Sequence, residues 1–168
     1  MLLHKEVAMK FAVVDIQGFH LNHDFVPKEL AISMDGVHIY HFNFSSFLPF
    51  FSLSVADKKK IRYLENKHHG IYYSTGGLTH FAFNSILRDV LWKHKITTIY
   101  VKGDLKKKYL EKIVGGVLLN IINVEYENEC PKLYKAAPLC TSGCHQLTHC
   151  ICASNNCIVL YDWLKEFY

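Results

Sequence analysis

Five of the chain's six cysteines, Cys140, Cys144, Cys150, Cys152 and Cys157, fall close together in the sequence, interleaved with His145 and His149. Thiolates and imidazoles favour zinc over harder ions such as magnesium, and four such ligands at about 2.0 to 2.3 Å satisfy it. This crowding suits a reduced, metal-binding segment at about residues 140–157 better than a disulfide framework. The competing use of the same residues is buried thiols, packed as small hydrophobes beside surface histidines. A second chemical candidate is Asp15, at the end of the apolar run Lys10 to Ile16, KFAVVDI. His68-His69-Gly70 reads as a loop that could sit beside a metal or a phosphate. Glu125, Glu127 and Glu129 precede Cys130-Pro131 and are expected to face water.

Basic residues are grouped. Lys58, Lys59, Lys60 and Arg62 form one run, and Lys102, Lys106, Lys107 and Lys108 another, in a chain of formal net charge +4. Two such clusters could frame an anionic groove, although a charge run also serves as a solvated helix face. The charge permits nucleic-acid binding without requiring it. Phe42, Phe44, Phe47, Phe50 and Phe51 follow one another closely. They are expected to build core or cover a sheet edge, and an exposed subset could stack bases or contact a protein.

The elements that must position these groups read as follows. Lys10 to Ile16 is a central strand, broken by Gln17 and Gly18. After the polar stretch His20 to Asp24, a second strand spans Val26 to Met34, and Asp35-Gly36 signals a hairpin into a third from Val37 to Phe44. Ser54 caps a helix to Asn66 that turns Val55, Ile61 and Leu64 inward. Leu78 to Lys93 carries Phe81, Ile86, Leu87, Val90 and Leu91 at helical spacing. A strand from Ile96 to Val101, a helix from Asp104 to Ile113 and a strand from Val117 to Val124 make a parallel crossover unit. A last helix is expected from about Cys150 to Phe167. At 168 residues, half of them apolar, the chain suits one domain over 1–168 with a core that needs no disulfides. No leader and no apolar run of about 20 residues is visible, so an intracellular protein without a membrane span is expected.

The order β-β-β-α-α-β-α-β-α is the layout of RNase H-like α/β domains, with a mixed five-stranded sheet and flanking helices. Within it, DIQGF resembles the first motif of DEDD-type 3′-to-5′ exonucleases, which end that strand in Asp-x-Glu. Four carboxylates in those enzymes hold two divalent ions that clamp the attacking and leaving oxygens. Here Gln17 replaces the second acid. The stretch matching the next motif, IYVKGDLKKKYL, offers Asp104 early, with Lys106 or Lys107 nearer the expected carboxylate. Beyond His145 and His149 no Asp follows until Asp162. Only Asp15 plainly remains, as a vestigial catalytic residue.

A closer resemblance is to the Maelstrom domain, a divergent relative of those exonucleases that lacks the catalytic tetrad and occurs in animal small-RNA pathways. The similar residues are Val26-Pro27-Lys28-Glu29, the segment GVHIYHF from Gly36 to Phe42, and Cys152-Ala153. The resemblance implies a zinc shell of Glu29, Cys140, His145 and Cys152. Four residues separate Cys140 from His145, where family members usually leave two. Cys144 and His149, with Cys152 and Glu29, form an alternative set, in which Cys150 or His145 could substitute. It also implies a role in RNA silencing and weak RNA cleavage by an unconventional route; with the basic runs, it leads to the expectation of a nucleic-acid-binding pseudo-exonuclease in which Lys58, Lys59, Lys102, Lys106 and Lys107 line a single-stranded RNA channel. Two further readings stand beside it. One is a protein-interaction adaptor working through Phe42 to Phe51, and the other an active metal nuclease on Asp15 with surrogate acids such as Asp104 or Glu125.

Overall fold

A computed structural model of the chain describes residues 10–22, 24–115 and 119–167. Five strands, β1 (Phe11–Leu21), β2 (Asp24–Ser33), β3 (Ile39–Asn43), β4 (Thr98–Val101) and β5 (Asn120–Asn123), lie in the order β3-β2-β1-β4-β5. β1 pairs antiparallel with β2, and β2 with β3, whereas β4 is parallel to both β1 and β5. Four helices complete it: α1 (Val55–Lys67), α2 (Ala82–Lys93), α3 (Asp104–Val114) and α4 (Ala153–Leu164). The expected element order and the mixed sheet are therefore present.

β1 is buried on both faces, which is why its sequence is apolar almost throughout. Side chains alternate along a strand, so its two faces receive different neighbours. Ala12, Val14 and Ile16 join Phe83, Leu87 and Leu91 of α2 and Leu110 of α3 in one core cluster. Val13 joins Ala31, Tyr100 and the α4 residues Cys157, Leu160 and Leu164 in another. Asp15 and Gln17 share the α4 side with Val13.

Several boundaries differ from expectation for local physical reasons. Gln17 and Gly18 do not break β1; the register shifts there and pairing resumes to Leu21 opposite Asp24. A Cβ on Gly18 would stand 2.2 Å from the Val26 carbonyl oxygen, so this bulge needs glycine for backbone approach. The hairpin at Asp35-Gly36 is longer than two residues. Asp35 accepts from the backbone of Val37 and His38 at 2.9 and 2.7 Å, which delays β3 to Ile39.

In α1, Ser54 caps the helix as expected, but Val55 is 71% exposed and the buried positions are Asp57 and Ile61. Asp57 turns inward and accepts from the Asn22 amide. α2 starts at Ala82 rather than Leu78, because Leu78 instead exchanges backbone hydrogen bonds with the chain at Asn43 and Ser45. That leaves Phe81 exposed. α4 starts at Ala153, because Cys150 is held in a bridge with Ala136 and Ile151 donates to the His68 carbonyl. Val117 and Leu118, expected to open the last strand, lie outside the described residues. Among the described residues no helix is long and apolar enough to cross a membrane.

Candidate metal centre and the Asp15 cleft

Strand register builds one polar row under α4. Gln17 lies opposite Glu29, and Ala31 lies between Asp15 on one side and His41 on the other. Paired residues point to the same face, so Asp15, Gln17, Glu29 and His41 all face the N-terminal turns of α4. The helix answers both acids. The Ala153 amide donates to Glu29 Oε2 at 3.1 Å, and Asn156 Nδ2, one turn on, donates to Asp15 Oδ2 at 2.8 Å. A carboxylate at a helix N-terminus is stabilised by the unpaired amides and by the helix dipole.

The Glu29 half is a cluster of six donors. His145 Nε2 and His41 Nε2 lie 3.0 and 2.9 Å from Glu29 Oε1, and Cys152 Sγ lies 3.6 Å from the same oxygen. Cys140 Sγ stands 3.7 Å from Cys144 Sγ. Two overlapping quartets, Glu29/Cys140/His145/Cys152 and Glu29/His41/Cys140/Cys144, each keep their ligand atoms within 4.8 Å of one another. Such groups could hold a metal ion. The first quartet is the one the sequence resemblance implied. Cys144 belongs to the second. His149, the other alternate, is exposed and belongs to neither group. Cys150 is buried, pairs its backbone with Ala136, and has its thiol pushed up to about 11, chiefly by burial.

Electrostatics show a set rich in anionic donors. Burial alone would raise the Glu29 carboxyl, yet hydrogen bonds from His145 and His41 and the His145 charge hold it at about 2. A hydrogen bond from Cys140 lowers Cys144 to about 3 and Cys152 to about 5, and Cys140, which serves both, is pushed up. Burial works against protonation of His145 and His41. Their contacts with Cys144 and Glu29, and for His145 also Cys152, override it, raising His41 to about 9 and His145 further. Binding of a metal ion here would require neutral imidazoles and deprotonated thiols, so it would release protons from the cluster.

The segment that brings His145 here is docked on residues 68–71. His145 Nδ1 donates to the His69 carbonyl at 2.5 Å, the Gln146 amide to Gly70 at 2.6 Å and the Ile151 amide to His68 at 3.0 Å. His69 itself is fully buried, with Nδ1 accepting from Ile71 and Nε2 donating to the Gly18 carbonyl. The His-His-Gly loop is therefore the seat of the Cys/His segment. Lys28, beside Glu29 in β2, is also buried and donates to the Tyr73 and Thr75 carbonyls and to Ser46 Oγ.

Among the described residues, the Asp15 half holds no second acid. Asp15 is fully buried and accepts from Gln17 Nε2 at 2.7 Å, Asn156 at 2.8 Å and Lys106 Nζ at 2.5 Å. Asp104 is exposed and directs its oxygens to Asn123 and Tyr126, and Glu125 is exposed. The other lysines vary. Lys102 donates to the Pro131 carbonyl, Lys107 pairs with Glu111 at 3.8 Å, Lys58 donates to the Phe51 carbonyl at 3.2 Å, and Lys59 is exposed. His41, Asn156 and the Lys106 contact went unforeseen. Strand alternation from Glu29 and its partner could have flagged His41.

Comparison with protein-family models, with curated proteins and with solved structures finds no match to this chain.

Proposed function

We propose that the chain is an RNase H-like domain of DEDD-exonuclease descent, similar to the Maelstrom domain, that binds single-stranded RNA without two-metal hydrolysis. The observation that carries this reading is Lys106 Nζ at 2.5 Å from Asp15 Oδ1. Two-metal catalysis needs several carboxylates to gather hard cations. At Asp15 the neighbours are an ammonium and two side-chain amides, so the positive charge beside this carboxylate comes from the protein itself. The sheet order and the α4 placement support the RNase H-like assignment. A role in RNA silencing rests on the resemblance.

Zinc is the metal that the donor set favours, because thiolate and imidazole donors select it over magnesium. Glu29, Cys140, His145 and Cys152 would hold it. Bound there, it would supply a structural crosslink between β2 and the segment that leads into α4. Metal analysis of the purified chain tests this part: one equivalent of zinc, lost in Cys152→Ser, is the expected result, and a metal-free folded protein would refute it. RNA binding is tested by salt dependence. Affinity should fall steeply with salt, and reversing the charges of Lys58, Lys59 and Lys107 together should weaken it. A second reading, a protein adaptor, is favoured by Phe51, which is 83% exposed within the Phe42 to Phe51 segment. If Phe51→Ala abolished partner binding and left RNA affinity unchanged, that reading would prevail.

A further inference from the structure

Away from both halves of the polar row, three aromatic rings contact one another in tilted geometry near the surface. Phe47, in the loop after β3, packs on His80 with ring centroids 4.9 Å apart and planes 32° apart, and His80 packs on Phe81 at 3.7 Å and 43°. Phe81 is 82% exposed and Phe47 48%, so the outer rings of this ladder keep apolar area open to solvent. Neither is needed to fill the core, which α2 reaches through Phe83, Leu87 and Leu91.

The ladder lines a surface pocket of about 340 Å³. Phe25 and Tyr109, in edge contact at 5.1 Å, also line it, and so do three polar side chains, Asp24, Asn84 and Lys112. Asn84 stands one turn beyond Phe81 on α2. Lys112 stands one turn beyond Lys108 on α3, and both lysines are exposed. The volume is at the low end of the roughly 300–1,000 Å³ typical of small-ligand sites, enough for one planar ring system with a sugar attached.

The geometry points to a nucleobase-binding site in which one base of a single-stranded RNA stacks on the Phe47–His80–Phe81 ladder while its phosphate meets Lys112. This inference rests on the reading of the chain as a single-stranded RNA binder and adds the place where a base is held. Each part matches an element of a nucleotide. Ring faces take a base of any sequence, the Asn84 amide offers both a donor and an acceptor to its edge, and Asp24 can accept from an exocyclic amino group. Lys112 and Lys108 supply the positive charge that a backbone phosphate requires. An apolar peptide side chain would use the rings but leave these three polar groups without a role.

The full chain is titrated against a short single-stranded oligoribonucleotide carrying one 2-aminopurine, with anisotropy read alongside 2-aminopurine emission. Stacking should quench the emission. Phe81→Ala and Phe47→Ala should each weaken binding by about 5- to 100-fold. Phe81→Trp, which keeps a ring, should retain it. Lys112→Ala should lower the slope of log affinity against log salt by about 0.7. An abasic oligonucleotide should bind the wild type as weakly as the intact one binds Phe81→Ala. These side chains are exposed, and unchanged circular dichroism confirms that the variants fold. If the oligonucleotide binds and the alanine variants bind it equally well, the inference is overturned and the RNA reading stands. If no oligonucleotide binds even at low salt, both fall.

Discussion

Lys106 Nζ lies 2.5 Å from Asp15 Oδ1, an ion pair between the first turn of α3 and the centre of β1 in which the carboxylate is fully buried and the lysine is 23% exposed. The two partners are not equivalent. Lys106→Met would leave a buried carboxylate held by two amide donors alone, and stranding a buried charge costs about 3 kcal/mol. Asp15→Asn would leave a lysine near the surface, free to turn toward water. Urea denaturation should show Lys106→Met as the more destabilised single variant, with part of its loss restored in the Asp15→Asn, Lys106→Met double variant. Equal losses in the two single variants would contradict this asymmetry.

His68 reports on the same ion pair. It is half-buried, and burial first, then the charges of Lys106 and Lys135, push its imidazole below the usual value, against the pull of Asp15. Because the folded value lies below the unfolded one, near 6.5, the stability tied to neutral His68 is full above about pH 6.5 and is lost as pH falls below it. Removing a neighbouring cation reverses part of the shift. In a proton NMR titration of the imidazole, Lys106→Met should move the His68 midpoint upward. An unchanged midpoint would place the Lys106 charge elsewhere.

Chelation should loosen one region selectively. The Cys/His segment is joined to the rest of the fold by few backbone bonds: Gln146 to Gly70, Ile151 to His68, and the Ala136 and Cys150 pair. If a metal ion ties Cys140, His145 and Cys152 to Glu29, its removal should speed hydrogen exchange at the Gln146, Cys150 and Ile151 amides. The β1 and β2 ladder, buried beneath, should keep its protection. Uniform acceleration across the sheet would instead mean that the metal supports the whole fold.

How far these features were legible in the sequence depends on the range of the interaction behind them. Apolar alternation is local, so the order of elements along the chain and the crossover were readable from runs such as KFAVVDI and ITTIYV, whereas the sheet order β3-β2-β1-β4-β5 comes from the structure. The Cys/His crowding likewise marked a donor-rich segment. Convergence of donors is not local: His145 meets Glu29 across 116 positions of sequence, and nothing in the spacing of Cys140, Cys144, His145 and His149 separates ligands from bystanders. Here the family resemblance supplied the quartet, and the structure brings His41 beside it while His149 lies outside both groups. Leu78 to Phe81 fits a helical period, but Leu78 makes backbone bonds to Asn43 and Ser45, a tertiary pairing that overrides the local pattern. Gly18 read as a strand end because glycine weakens strands, whereas its use here is to let the Val26 carbonyl approach.

Gly70 offers the sharpest test of whether the His68 to Ile71 strip seats the Cys/His segment. Its φ of +66° lies in the left-handed region, and an added Cβ would stand 2.8 Å from Leu147 Cγ and 3.0 Å from the Leu147 amide nitrogen. An alanine there carries about 1–3 kcal/mol of backbone strain. It also pushes against the residue that follows Gln146, whose amide donates to the Gly70 carbonyl. Gly70→Ala should therefore lower stability in urea denaturation and also weaken metal retention in a chelator competition, although no ligand atom has been changed. Gly143→Ala is the control. Its φ is +64°, but a Cβ there meets nothing within 4 Å, so it carries the strain without the collision. If both variants lost metal equally, backbone strain alone would explain the effect. Greater loss in Gly70→Ala would show that the contact between Gly70 and Leu147 helps to hold His145 against Glu29.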